Sequence, residues 1–220
     1  MQITVDHVIR FLERAAALIR DHAAELTELD TVIGDADHGT NLNRGFSAVV
    51  VKLDALQDGD IGTILDVTGK TLLATVGGAA GPLYGTAFRR AGALLAGRYT
   101  IDGADIAAAL EVALKGIVER GRVQRGEKTM LDAIAPGVDT FRTAIVQGQS
   151  LEEAARCALV AVEEGMRATI PMQATKGRAA FLGPRSIGHQ DPGATSAYYI
   201  ACAMVGLDAD PPSHQTTEMH

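Results

Sequence analysis

The 220-residue sequence has no tryptophan, and aromatic residues make up only 4% of it. Packed sheets draw on aromatic and β-branched side chains, so this scarcity disfavours a β-sandwich. The abundance of Ala, Leu and Gly favours closely packed helices instead. Cysteine is scarce too. Cys157 and Cys202 form no C-x-x-C and have no zinc spacing. Both fall in alanine-rich helical patterns, which reads as buried small hydrophobes in a reducing compartment. Positive charge is in deficit: 20 Lys and Arg against 27 Asp and Glu leave a net charge of −7. That argues against nucleic acid or an anionic membrane as the main partner. Met1-Gln-Ile-Thr-Val-Asp-His has no apolar signal core. The longest uncharged run, Thr71 to Phe88, is broken by Gly77, Gly78, Gly81, Pro82 and Gly85, too broken for a membrane helix. A soluble, cytoplasmic protein is expected. With 47% hydrophobic residues, the chain can bury one substantial core.

What the sequence does have is a dense polar stretch, Asp30-Thr-Val-Ile-Gly34-Asp35-Ala-Asp37-His38-Gly39-Thr40-Asn41. Asp35 and Asp37, bracketed by Gly34 and Gly39, belong on a tight turn. Positions 30, 35 and 37 do not share a face of a 3.6-residue helix, so a loop must bring them together. Converging carboxylates repel unless a cation lies between them. A calcium EF-hand fits poorly, because no further acidic or amide ligand follows two residues after Asp37. Magnesium fits better, since it takes a few carboxylates and completes its shell with water and phosphate. The helix that begins near Thr40 offers free N–H groups to an anion. The alternative is an Asx-rich turn whose carboxylates face water.

Periodicity predicts helices over about 5–26, 40–56, 61–76, 82–98, 105–120, 129–149, 150–170 and 194–207, with no convincing strand. Val8, Ile9, Leu12, Ala15, Ala16 and Ile19 form the apolar stripe of the first. Gly69-Lys70-Thr71 reads as helix interior: a P-loop needs glycine at position 64, where Ile64 stands. Pro136 is expected to bend or interrupt its helix. Ser150-x-x-Glu153 is a capping box. The 173–193 segment is unusually long for a structureless connection, which marks it as functional. Residues 208–220 read as a disordered tail after a single domain over 1–207. Polar, glycine-rich loops at about 34–39, 77–82, 121–128 and 177–193 follow alternate helices. In an all-α bundle or barrel of eight antiparallel helices, alternate connections share one end, so the four loops are expected to form one site.

Four motifs then carry a family resemblance: Gly34-Asp-Ala-Asp-His-Gly-Thr-Asn-Leu-Asn-Arg-Gly-Phe46, Gly77-Gly-Ala-Ala-Gly-Pro-Leu-Tyr-Gly-Thr86, Gly126-Glu-Lys-Thr-Met-Leu-Asp132, and Lys176-Gly-Arg-Ala-Ala-Phe-Leu-Gly183 through Gly188-His-Gln-Asp-Pro-Gly-Ala194. In this order they resemble the nucleotide-binding L subunit of dihydroxyacetone kinase over essentially the whole chain. The resemblance implies a closed eight-helix barrel holding ADP or ATP and two Mg²⁺ at one rim. It implies Asp30, Asp35 and Asp37 as metal ligands. His38, Gly39, Thr40 and Asn41 would lie against the phosphates, and Ala79 and Ala80 would give close backbone contacts. Gly121 and Met130 would border the adenine, Arg178 would contact phosphate, and Asp191, Pro192 and Gly193 would close on the nucleotide. His38 and Arg178 are the expected catalytic pair. Ala80 stands where the family commonly has serine, which removes one hydroxyl from the phosphate site, and Glu127 replaces a frequent aspartate.

By the same resemblance, ADP is a retained cofactor, phosphorylated by a phosphohistidine carrier (M-type) subunit. The γ-phosphate would then pass to dihydroxyacetone on a K-type subunit. Two alternatives stay open: an ATP-exchanging L subunit acting on another small ketose or polyol, and a nucleotide-loaded regulatory binding module. Homodimer formation is also left open.

Overall fold

The structure, a computed structural model, describes residues 2–205. Nine α-helices account for most of them: α1 Val5–Asp21, α2 Ala23–Ile33, α3 His38–Leu53, α4 Ile61–Thr75, α5 Ala80–Leu94, α6 Gly103–Gly121, α7 Met130–Val146, α8 Leu151–Ala168 and α9 Pro192–Cys202. One antiparallel pair joins β1 (Ile3–Thr4) to β2 (Thr100–Ile101), with Ile3 opposite Ile101. This small ladder was not expected from the sequence. The expected tail 208–220 lies outside the described residues.

Side-chain caps set most of the boundaries. Asp60, Asp102, Thr129, Ser150 and Asp191 each accept from an amide in the first turn of the helix they precede. The Ser150–Glu153 box forms as read. The first expected helix divides in two. His22 leaves helical geometry (φ −105°, ψ 12°), stacks on Tyr199 with ring centroids 3.9 Å apart and bonds Glu25 through Nδ1 at 2.9 Å. The chain restarts as α2, so Asp30 lies in a helix and not in the acidic loop. Pro136 does not interrupt α7. It removes one hydrogen bond from the ladder, while Ala135, Val138 and Phe141 beside it stay buried in the core.

The core runs through the middle of the helices. The stripe Val8, Ile9, Leu12, Ala15, Ala16 and Ile19 is buried as predicted, together with Leu42, Phe46, Ile61, Ile64 and Leu72. The most extensive pairing is α4 with α5. A side chain at Gly69 would begin 2.6 Å from the Gly85 carbonyl, so small residues there let the two backbones touch. An apolar interior cavity of about 270 Å³ lies between the helices, lined by residues such as Phe11, Phe88, Leu114, Ile134 and Ile200. Cys157 is exposed and Cys202 half-buried, which corrects the expectation that both are buried. The alanines around Cys157 lie partly on the outer face of α8.

Candidate functional site

The connections that follow α2, α4, α6 and α8 all contribute to the wall of one cavity of about 420 Å³. That volume suits a small organic ligand. Its floor is acidic. Asp30 sits in the last turn of α2, 8% exposed. Its Oδ2 accepts from the amides of Asp37 (2.9 Å), the N-cap of α3, and His38 (3.1 Å), its first residue. A carboxylate at a helix N-terminus is held by charge-assisted bonds and by the dipole. Those two bonds fold the 34–37 turn back over α2. One carboxylate oxygen each from Asp30, Asp35 and Asp37 then lies within 4.8 Å of the others. Gly34 makes this approach feasible, because a Cβ there would stand 1.9 Å from Asp30 Oδ1. Three convergent hard oxygen donors, one buried and two open to the cavity, fit Mg²⁺.

His38 follows directly. Its Nε2 lies 2.9 Å from Ser196 Oγ, which is also 2.9 Å from the Tyr84 hydroxyl and donates to Gly193 O at 3.0 Å. Burial pushes the His38 imidazole below its ordinary pKa, opposed by the charges of Asp30 and Asp37. The ring is therefore mostly neutral at pH 7. Opposite, α5 starts at Ala80 behind Ala79, which has no side chain able to cap the helix. That leaves first-turn amides of α5 without a side-chain cap beside the cavity, as an anion would need. Arg178 opens a 3₁₀ segment, Arg178–Ser186, and its Nε pairs with Asp35 Oδ2 at 2.8 Å. Lys176 lies 3.7 Å from Glu127. Met130, the first residue of α7, and Gly121, the last of α6, complete an apolar side with Ile33, Leu83 and Val123.

Asp30, Asp35, Asp37, His38, Ala79, Ala80, Gly121, Met130, Arg178, Asp191, Pro192 and Gly193 thus share one cavity wall. Gly39, Thr40 and Asn41 do not line it. Gly39 packs on the Ala23 carbonyl, Thr40 is exposed, and Asn41 is buried against Gly77 and accepts from Arg44 at 2.6 Å.

Asp191 is buried at the N-cap of α9 and accepts from Ala194 N at 2.7 Å. Burial raises its pKa to about 7, opposed by the Ala194 bond and the charge of Lys128. The sequence reading passed over Lys128, Thr169 and Ser196. Lys128 stands in a charged stretch that reads as solvated, yet it is 1% exposed. Its presence inside the Gly126–Asp132 motif was the available signal.

The DAK2 domain family matches residues 32–206. The chain is 44% identical over 200 residues to the PEP-dependent dihydroxyacetone kinase, ADP-binding subunit DhaL, of Escherichia coli, covering 91% of this chain and 95% of that one. It is 36% identical over 198 residues to the PTS-dependent dihydroxyacetone kinase, ADP-binding subunit DhaL, of Lactococcus lactis, covering 90% and 95%. The fold is similar to the crystal structure of the dihydroxyacetone kinase from C. freundii in complex with AMP-PNP and Mg²⁺. The TM-score there is 0.71 at 24% identity, over 90% of this chain and 33% of that one.

Proposed function

The chain belongs to the DAK2-domain family, and on that premise we propose that it is the nucleotide–magnesium subunit of a multi-subunit dihydroxyacetone kinase. A phosphohistidine carrier subunit phosphorylates retained ADP in place, and a K-type subunit presents dihydroxyacetone as the acceptor. The observation that carries this reading is the triad of carboxylates within 4.8 Å of one another, facing a cavity with an uncapped helix N-terminus and an apolar Met130 side. A hard cation, a polyphosphate and a base each have a matching wall.

Each residue then has a role in phosphoryl transfer. Asp30, Asp35 and Asp37 hold Mg²⁺, and Asp30 also fixes the turn on which the other two stand. When bound, two Mg²⁺ would supply roughly four positive charges against about six negative ones, three from the carboxylates and about three from ADP, offsetting most of the negative charge and leaving about −2. Arg178 exchanges its Asp35 partner for phosphate oxygens and offsets the charge that a γ-phosphoryl group adds. Neutral His38, held by Ser196 through Nε2, lies beside the same oxygens without adding a full charge. Met130 would pack a thioether against the purine face, with the Asp191–Gly193 turn beside it in the same wall. The same reading takes the helices as a closed barrel with its site at one rim. In support, α3 to α9 pack in chain order, and α9 returns to pack on α1.

Among the described residues no helix is long and apolar enough to cross a membrane, consistent with work in the cytoplasm beside a soluble carrier. The test is reconstitution. The chain alone should not phosphorylate dihydroxyacetone, and adding the K-type subunit and the phosphorylated carrier should start turnover. Ketose phosphorylation by the isolated chain would refute the assignment.

A further inference from the structure

We propose that Lys128 is a positioning residue that holds the Asp191–Gly193 turn in place against the Met130 end of α7, in the wall of the nucleotide cavity. The proposal rests on the nucleotide reading of the cavity.

Lys128 carries three unfavourable features at once. Its backbone is left-handed (φ 61°), a conformation that is strained for a non-glycine residue. Its side chain is 1% exposed, and a buried ammonium loses its hydration. No carboxylate hydrogen-bonds it among the described residues; its Nζ donates to two main-chain carbonyls, Thr169 O (2.6 Å) and His189 O. Neither partner is an ordinary surface contact. Thr169 ends α8, where the helix dipole is negative and favours a cation. His189 begins the turn into α9.

The bonds around that turn show what the ammonium adds. Gly188 N donates to Ile170 O at 2.8 Å, and Asp191 N donates to Thr169 Oγ1 at 3.0 Å. Both tie the turn to the end of α8. Lys128 ties it to the other side, the 122–129 loop, two residues before Met130. That loop is itself fixed by Asp132, which accepts from Gly126 N (2.5 Å) and Thr129 N (2.8 Å). At the edge of the cavity the turn packs directly on the start of α7: a Cβ on Gly193 would lie 3.6 Å from Met130 N. Farther out, Thr175 N donates to Glu127 O, and Lys128 adds the charged tether that holds the turn itself in register with a segment more than sixty residues away.

The experiment uses the full chain and Lys128→Met, which keeps the apolar stem and removes the donors. Hydrogen exchange is followed residue by residue, and the affinities for ADP with Mg²⁺ and for Mg²⁺ alone are measured by calorimetry. The expected result is exchange faster by about tenfold or more at residues 188–195 with α1 to α5 unchanged. ADP affinity should also fall by about tenfold or more, and Mg²⁺ affinity alone should stay within about twofold. Unchanged exchange in the turn, or unchanged ADP affinity, overturns the proposal. So does exchange that rises in every helix with ADP and Mg²⁺ weakened alike, which is the signature of a purely global stabilising role. Should Lys128→Met fail to fold, Lys128→Leu, which also lacks the donors, carries the same readouts. If the native chain itself binds no ADP, the nucleotide reading fails, and the exchange data still decide whether Lys128 holds the turn.

Discussion

Replacing Asp30 by Asn separates the two jobs of that residue. The carboxamide oxygen can still accept from the amides of Asp37 and His38, so the turn keeps its shape. What disappears is one negative charge from a set lying within 4.8 Å. At that separation a pair of like charges repels by ~1 kcal/mol in water and by ~3.5 kcal/mol at an effective dielectric constant of about 20. Asp35 is open to solvent, so the lower figure applies to its pair. Less the charge-assisted bonds and α3 dipole that the carboxylate gives up, metal-free Asp30→Asn should be more stable than the native chain by ~1–2 kcal/mol. With ~2–4 °C per kcal/mol for a chain of this size, its melting point should rise by several degrees. Magnesium reverses the order. At a concentration about one hundred times its Kd, Mg²⁺ stabilises the native protein by ~2.7 kcal/mol. If the substitution weakens binding about a hundredfold, the same concentration gives the variant only ~0.4 kcal/mol. The assay is a pair of melting curves for each protein, after chelation and with Mg²⁺. The two proteins should change rank between the conditions. A variant that melts below the native protein without metal, and gains as much from Mg²⁺, would refute the claim that these carboxylates form a cation site.

Other outcomes follow from single contacts. Arg178→Ala should cost phosphoryl transfer about a hundredfold or more while lowering stability by less than ~1 kcal/mol, because its pair with Asp35 is largely exposed; steady-state kinetics and a melt check both. Gly34→Ala should abolish Mg²⁺ binding in calorimetry, since the new methyl would displace the Asp30 carboxylate. Asp191 gives a pH signature in the chelated, nucleotide-free protein. Its folded pKa is raised from 3.8 to about 7, so the folded state keeps a proton that the unfolded chain has released. Its contribution is complete below about pH 4 and is lost as pH rises through 7, a displacement of ~4 kcal/mol. Asp191→Asn, which can still cap α9, should flatten the denaturant-derived stability profile over that window.

The sequence showed the site more clearly than the fold that frames it. Gly34, Gly39 and the aspartates between them demanded a turn, and the alternation of glycine loops with helices placed four loops at one end. Caps such as Ser150–Glu153 are local chemistry and could be read directly, as could the α1 stripe. The break at His22 could not. Ala23 and Ala24 continue a good helical pattern, and the partner that draws His22 out, Tyr199, is far away in sequence. Asp30 was assigned to the loop for the same reason. Lys128 was missed because burial of a charge depends on carbonyls at Thr169 and His189, which only the folded chain brings to it. Asn41 was read as facing phosphate from its place in the motif. Its actual neighbours, Arg44 and Gly77, are set by how α3 packs on the connection after α4.

The most direct measurement is native mass spectrometry of the freshly purified chain with no nucleotide added, followed by denaturation and identification of what is released. A near-stoichiometric mass increment of ADP with Mg²⁺, lost in Asp30→Asn, is expected. A protein that carries no nucleotide and binds none when ADP and Mg²⁺ are supplied would contradict it.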